Sequence, residues 1–478
     1  MSQVSDIVNN FIGGEFVPFG GDMIEVFNPA TSQRIAAAPD AGAALVDEAV
    51  AAARAAQDSW ARLPAIERAG WLRKISQALR ANAPELAALV SLEQGKVKPL
   101  AEMEVFLAAE YIDYMAEWAR RIEGEIVASD RPGEDIFIHR RPLGVVAGIL
   151  PWNFPFFMIA RKMAPALITG NTVVIKPSEE TPLCAGAFAR LVAEVELPAG
   201  VFNLVYGGGV TTGAALSGHG GIDMVSFTGS TAAGAKIYQQ AARNITKVSL
   251  ELGGKAPVIV MDDANLDLAV GTLRASKTIN TGQACHCPER VYVHRKVVDR
   301  FTEMLAEQIG AISYGDALGE TPVEMGPLMN AAAVTKIDGL VRDARDKGAS
   351  LVTGGAIAGD RPGFHYQPTV LAGVSEQMEI MRQEVFGPVL MVAAIDSLEE
   401  GIQRANDTDY GLSSSIFTDS LAAVKKACRE LRFGETYVNR ENFEAIQGFH
   451  AGIKKSGIGG ADGKHGLYEF MATQVVYL

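Results

Sequence analysis

A chain of 478 residues, 48% hydrophobic and 21% charged, is too long for one ordinary core and too apolar to be disordered, so two or three α/β domains are expected. Its formal net charge of −13, with no basic patch, excludes a non-specific nucleic-acid binder and any attraction to an anionic membrane. The four cysteines, Cys184, Cys285, Cys287 and Cys428, are too few for a disulfide framework and point to a reducing compartment. Met1–Asp6 carry no basic stretch leading into an apolar run, so no signal peptide is read and a cytoplasmic location is expected.

The first elements are amphipathic helices over 44–60, 64–82 and 100–121; Ile66, Ala69, Leu72, Ile75 and Leu79 trace one face of the second. Residues 122–141 include the extended run Asp135–His139. Pro142–Ala160 holds no charged residue and approaches membrane-spanning length, yet Pro151, Asn153 and Pro155 read better as a buried strand running into an irregular loop. Short apolar strands follow at Val145–Leu150, Thr172–Lys176, Val201–Val205, Met224–Phe227 and Val248–Leu250, with helices at 182–195 and 231–242 between them. Such alternation predicts a mostly parallel, doubly wound sheet that binds its ligand beyond the carboxyl ends of the strands. A second α/β series has strands at Pro257–Met261, Arg290–Val293, Leu351–Thr353, Thr369–Leu371, Val389–Ala394 and Ser413–Phe417. Its helices fall at 266–280, 297–312, 331–346 and 420–431, and Thr473–Leu478 is again strand-like.

Two short runs carry chemistry. Glu251-Leu252-Gly253-Gly254-Lys255 sets a carboxylate at the end of an apolar strand beside two glycines that let backbone approach a ligand. Gly282-Gln283-Ala284-Cys285 offers a thiol whose polar neighbours, Gln283 and His286, are unexpected in a sealed core. A thiol nucleophile and a carboxylate base suffice to make a thioester and hydrolyse it. Each residue also has a plainer reading: a buried inert thiol, a solvated carboxylate, and, for Asn153, a turn-forming side chain. Cys285-His286-Cys287 lacks the spacing and second ligand pair of a structural zinc site, so no metal is expected. Gly207, Gly209 and Gly213 miss the dinucleotide fingerprint by one residue. Phe227-Thr228-Gly229-Ser230, a strand end turning into a helix N-terminus, is the better place to receive a pyrophosphate.

Taken with Pro151-Trp152-Asn153-Phe154-Pro155 upstream and Glu384-Val385-Phe386-Gly387-Pro388 downstream, these runs resemble the aldehyde dehydrogenase superfamily in order and spacing over nearly the whole chain. The resemblance implies an aldehyde dehydrogenase-like α/β fold: a Rossmann-type NAD domain (1–121 and 142–251), an α/β catalytic domain (252–440), a substrate-pocket loop (441–455) and a β-arm (122–141 and 456–478) that pairs subunits into a homotetramer, a dimer of dimers. It implies Cys285 as nucleophile, Glu251 as the base that activates water, and Asn153 as oxyanion donor with the Cys285 backbone N–H. It implies NAD as cofactor, held by Trp152, Lys176, Pro177, Ser178, Glu179, Gly229, Ser230, Lys336, Glu384 and Phe386. A carboxylate at Glu179 would bind the ribose hydroxyls and repel a 2′-phosphate, favouring NAD over NADP.

Counting from Asn153 and back from Lys454-Lys455-Ser456-Gly457, the positions often aromatic in relatives are Phe154, Arg161, Glu444 and His450. Three of the four are polar here, and His286 adds another polar group beside the thiol. Such a pocket should prefer a small-molecule aldehyde that carries hydrogen-bonding groups, unless Arg161 and Glu444 only pair with each other. Tyr111–Glu125, Ser129–Glu134 and Gly434–Gly466 are similar to the bacterial lactaldehyde/glycolaldehyde dehydrogenases, which implies a short 2-hydroxyaldehyde as substrate. His286 departs from the small amide expected there. The rival readings are a succinate-semialdehyde dehydrogenase, with Arg161 clamping the distal carboxylate, and a catalytically retired binding or structural member.

Overall fold

The computed structural model describes residues 8–478; Met1–Asp6, on which the absence of a leader is read, lie outside that range. Two large sheets dominate. The first has eight strands in the order Gly457–Ile458, Lys247–Glu251, Met224–Thr228, Val145–Ile149, Thr172–Lys176, Phe202–Leu204, Asn10–Ile12 and Glu15–Val17. Its five central strands run parallel, and their near-continuous Val, Ile and Phe content fits burial on both faces by crossover helices. The second has seven strands in the order Ser350–Thr353, Thr369–Ala372, Val389–Ile395, Pro288–His294, Ala256–Val260, Ser413–Phe417 and Glu435–Val438, parallel except at the Ser350–Thr353 edge. A smaller antiparallel sheet joins Glu125–Ala128, Asp135–Pro142 and Met471–Tyr477.

Three features depart from the sequence reading. The long first-sheet strands are joined by the short N-terminal pair at Asn10–Val17, which pairs with Phe202–Leu204. A separate helix occupies Ala83–Gln94, and the following helix covers Lys98–Ala116 before a 3-10 turn at Glu117–Arg120. Gly457–Ile458 pairs with Leu250–Glu251 in the first sheet, so the C-terminal arm strand begins only at Met471.

The uncharged run from Pro142 to Ala160 is a strand, a loop and the first turns of the helix Pro155–Ile168, every residue of which is buried. Pro155 opens that helix, where its missing N–H costs nothing. No helix among the described residues is long and apolar enough to cross a membrane. The strand Lys247–Glu251 lies in register with Met224–Thr228, so Thr228 and Glu251 finish side by side at the carboxyl ends of the sheet. There the segment after Glu251 crosses directly into the second sheet at Ala256.

Candidate active site

The helix Leu266–Thr278 ends in a turn whose Asn280, Thr281 and Gly282 all adopt left-handed backbone, with φ of 49°, 60° and 70°. For the two residues with a β-carbon this costs about 1–3 kcal/mol each and persists only where surroundings enforce it. They do so here. Asn280 Nδ2 donates to the carbonyls of Asn153 and Gln283, both at 3.1 Å, and Thr281 Oγ1 donates to Gly326 O at 3.0 Å. A β-carbon on Gly282 would overlap the Gly387 carbonyl oxygen, so only glycine lets that loop close over the turn. Gln283 proves fully buried rather than half-solvated. Its amide donates to Asn280 O and Pro327 O and accepts from Met329 N–H, so a polar side chain serves as internal scaffolding. The turn delivers Cys285 half-exposed, while Cys287 is buried with its Sγ on Ser276 O.

The glycine pair in the run after Glu251 has a direct geometric use. A β-carbon on Gly253 would lie 2.5 Å from Glu384 Oε2, and one on Gly254 would lie 2.5 Å from the Cys285 carbonyl oxygen. These glycines draw three segments onto one cleft. Asn153 reaches it from the proline-bracketed loop; its Nδ2 donates to Gln283 O at 3.1 Å, leaving a second N–H for the cleft. The Asn153 carbonyl is fixed by Lys96 Nζ at 2.8 Å, and Lys96 is itself in a fully buried ion pair with Glu104. Glu104 in turn accepts the Phe156 N–H at the start of the buried helix.

Glu251 is buried and contacts Lys162 Nζ at 2.5 Å, Thr228 Oγ1 at 3.3 Å and Arg161 Nη1 at 3.6 Å. Burial alone would raise its carboxyl, but Lys162, Arg161 and His450 hold it below the ordinary range. Arg161 is enclosed by carboxylates: Asp462 takes Nε at 2.9 Å and also meets Nη2, and Glu444 meets Nη2 at 3.1 Å. The pairing of Arg161 with Glu444 therefore exists, and Asp462 and Glu251 complete it. His286 Nδ1 lies 3.4 Å from Glu444 Oε2 and edges onto Phe443. His450 corrects an expectation. It is buried against the nucleophile, with Nε2 3.9 Å from Cys285 Sγ and Nδ1 2.9 Å from Glu435 Oε1, so its polar atoms already have partners. Burial would raise the thiol, yet the neighbouring His286 and His450 imidazoles bring Cys285 down to about 7.

The cleft has a cavity volume of about 230 Å³ and is shared between two groups of residues. Cys285, Glu251, Asn153, Phe154, Arg161, His286 and Glu444 form one end; Trp152, Gly229, Ser230, Lys336, Glu384 and Phe386 form the other. Ser230 caps the helix Thr231–Ala241, its side chain accepting the Ala233 N–H, so the positive helix end opens on the cleft. Phe386 holds φ 59° because Glu289, buried against Lys255, accepts the N–H groups of Val385 and Phe386; its ring packs edge-on to Trp152 at 5.7 Å. Glu384 accepts the Gly254 N–H at 2.8 Å, and burial, reinforced by Glu289, raises it to about 7. Lys176 ends the strand Thr172–Lys176, and Pro177, Ser178 and Glu179 follow it, off the cleft. Lys176 Nζ donates to Pro177 O at 2.6 Å and Gly207 O at 2.8 Å, with the half-exposed Glu179 carboxylate 3.4 Å away. The near-miss glycine run closes a structural turn instead: Gly207 leaves room for the Thr212 side chain, and Asp40 accepts the Gly208 N–H.

Sequence reasoning missed the layer that orients these groups: Asp462, Lys162, Glu435, Lys96 and Glu104. Only the positions of Lys162 beside Arg161 and of Glu104 on an apolar helix face hinted at it.

The arrangement matches known proteins. The model of the aldehyde dehydrogenase family covers residues 16–476. The lactaldehyde dehydrogenase of Escherichia coli (strain K12) is 57% identical over 469 residues, spanning 98% of each chain, and a crystal structure of the E. coli enzyme superposes with a TM-score of 0.97 over 99% of each chain. A 3,6-anhydro-L-galactose dehydrogenase solved in complex with NAP is 42% identical with a TM-score of 0.96, over 99% of this chain and 100% of that one. A betaine aldehyde dehydrogenase from Staphylococcus aureus solved in complex with NAD+ is 32% identical with a TM-score of 0.95, over 98% of this chain and 94% of that one. With the thiol, carboxylate and carboxamide on one cleft, this chain belongs to the aldehyde dehydrogenase family. It is an oxidoreductase that acts on aldehydes.

Proposed function

We propose that the enzyme oxidises a short 2-hydroxyaldehyde, lactaldehyde or glycolaldehyde, to the carboxylic acid with NAD, through a thioester on Cys285. The observation that carries this reading is one cleft walled at one end by thiol, carboxylate and carboxamide and at the other by Gly229, Ser230, Lys336, Glu384 and Phe386. The Cys285 thiolate attacks the aldehyde carbon. The second N–H of Asn153 Nδ2 and the Cys285 backbone N–H receive the oxyanion, a donor of this kind contributing about 3 kcal/mol to the barrier. NAD, when bound, supplies the hydride acceptor. Trp152, Glu384 and Phe386 would hold its reactive end, and Lys176, Pro177, Ser178 and Glu179 its adenosine end; the half-exposed carboxylate of Glu179, 3.4 Å from Lys176 Nζ, would favour NAD over NADP. Glu251 takes a proton from the water that hydrolyses the thioester. A carboxylate held this low is a weak base, so water activation follows its release from Lys162.

His286 and Glu444, both on the cleft beside the thiol, are the partners of the substrate 2-hydroxyl, and Arg161 orients Glu444. The lactaldehyde dehydrogenase relationship supports this choice. Succinate semialdehyde is disfavoured because the Arg161 charge is already engaged by Asp462, Glu444 and Glu251, and a second substrate carboxylate would face the last two. The location proposed is cytoplasmic. The test of the chemistry is NADH formation by Cys285→Ala. It should vanish while NAD binding, read by fluorescence titration, persists; residual dehydrogenase activity above a trace would remove the nucleophile assignment.

A further inference from the structure

Beside the thiol lies a row of polar groups to which hydride transfer and deacylation give no task. His450 is buried, and its main chain is pinned by reciprocal hydrogen bonds with Ala461, both at 2.9 Å. Its ring stands between two partners, with Nε2 3.9 Å from Cys285 Sγ and Nδ1 2.9 Å from Glu435 Oε1. Glu435 is in turn fixed by the Tyr437 hydroxyl, which donates to Oε2 at 2.8 Å. We propose that Glu435, His450 and Cys285 form a carboxylate–imidazole–thiol relay, in which the Sγ proton passes to His450 Nε2, Glu435 accepts the Nδ1–H, and the nucleophile stands as a thiolate before aldehyde or cofactor arrives. The inference rests on Cys285 being the nucleophile.

The protons balance. Attack on the aldehyde consumes the thiolate and leaves the imidazolium its proton. Thioester hydrolysis returns sulfur to the same pair as a thiolate, so the relay neither gains nor loses a proton over a turnover. His450 is a catalytic residue in this account because it touches the reacting sulfur; Glu435 and Tyr437 are positioning residues. The charges facing the pair come from several elements: Glu444 and Asp462 from the C-terminal loops, Arg161 and Lys162 from the helix Pro155–Ile168, Glu251 from its strand, Glu384 from across the cleft, and His286. Burial and Arg161 oppose a charged His450, while Glu444, Cys285 and Glu435 favour it, and the balance lies with the charged form. His286 also neighbours the thiol and lowers it, with its Nδ1 3.4 Å from Glu444 Oε2; it has no contact with Glu435 that would make it part of the row.

The test is the pH dependence of Cys285 alkylation by iodoacetamide in the full-length, cofactor-free enzyme. Peptide mass spectrometry at Cys285 keeps the exposed Cys428 out of the measurement. The unaltered enzyme should show an inflection near 7. His450→Gln should move it toward about 8.5, the value of a free thiol, and slow alkylation at neutral pH about tenfold. Glu435→Gln should move it in the same direction by less, and it decides the matter alone if His450→Gln does not fold. His286→Asn should shift it less than His450→Gln does. An inflection unmoved in His450→Gln, or in Glu435→Gln where that variant stands alone, overturns the relay, as does a larger shift in His286→Asn. Dehydrogenase activity surviving Cys285→Ala would instead remove the thioester reading and leave this titration standing.

Discussion

At the scale of single residues the account divides two chemical steps between two side chains. Glu251→Gln should keep a first-turnover burst of NADH and lose steady-state turnover, because acylation needs the thiol and deacylation the base. Rapid mixing with NADH absorbance reads both phases; a full steady-state rate would show that another group activates water. Glu384 gives a pH prediction. Its carboxyl is raised to about 7, so its acceptor form is complete above that value and lost as pH falls through it. KM for NAD should therefore rise as pH drops below about 7, and Glu384→Gln should flatten that dependence, as steady-state kinetics across pH will show. Cys285, Glu251 and Asn153 were legible in the sequence because each sits in a short run of unusual chemistry. Asp462 was not: it meets Arg161 across 301 residues of chain, and an aspartate in a glycine-rich loop reads only as a turn. His450 was legible as a polar replacement but not in its direction, since counting places a residue near a site without saying which side of the thiol its ring takes.

At the scale of elements, strands and helices with strong local signals are readable to the residue. Thr172–Lys176, Ser413–Phe417 and Ala331–Asp346 form over the spans their patterns predict, the first two dense in β-branched or small residues and the third capped by Asn330. Ala83–Gln94 escaped because it follows the preceding helix after one residue, Asn82, and carries no clear apolar stripe. The strands at Asn10–Val17 escaped because their partner lies near Leu204, where local pattern has no say. The nucleophile turn is the element on which function most depends. Gly282→Ala adds a β-carbon at φ 70° against the Gly387 carbonyl, so the turn must move. The strain is about 1–3 kcal/mol, small against the fold, yet a shift of an ångström at a nucleophile costs about 100-fold in rate. Circular dichroism melting should show a modestly lowered Tm, and kcat should fall far more than stability; unchanged kcat would mean the turn does not set the thiol's position.

At the scale of the whole molecule, residues that follow strands of both large sheets line one cleft, and its position beyond the carboxyl ends of the first sheet is the one the alternation of elements anticipated. The division into NAD domain, catalytic domain, pocket loop and arm remains our proposal. So does assembly through the arm, on which Ile126, Tyr477 and Leu478 are 72%, 65% and 79% exposed, a concentration of apolar side chains on one small sheet that a second subunit would cover. Ile126→Asp with Tyr477→Asp should reduce the mass measured by light scattering from a tetramer to a smaller species, whereas an unchanged mass would place the contact elsewhere.

The central claim is that this pocket reads a hydroxyl beside the aldehyde. A buried hydrogen bond left unmatched costs roughly 1–3 kcal/mol, so lactaldehyde or glycolaldehyde should exceed propanal or acetaldehyde by about tenfold to a hundredfold in kcat/KM. Both kinds of substrate share the same thioester chemistry, so only recognition separates them. One NADH absorbance assay across lactaldehyde, glycolaldehyde, propanal and succinate semialdehyde makes the comparison. The account predicts the hydroxyaldehydes first by that margin; propanal equal to lactaldehyde, or succinate semialdehyde above both, would contradict it.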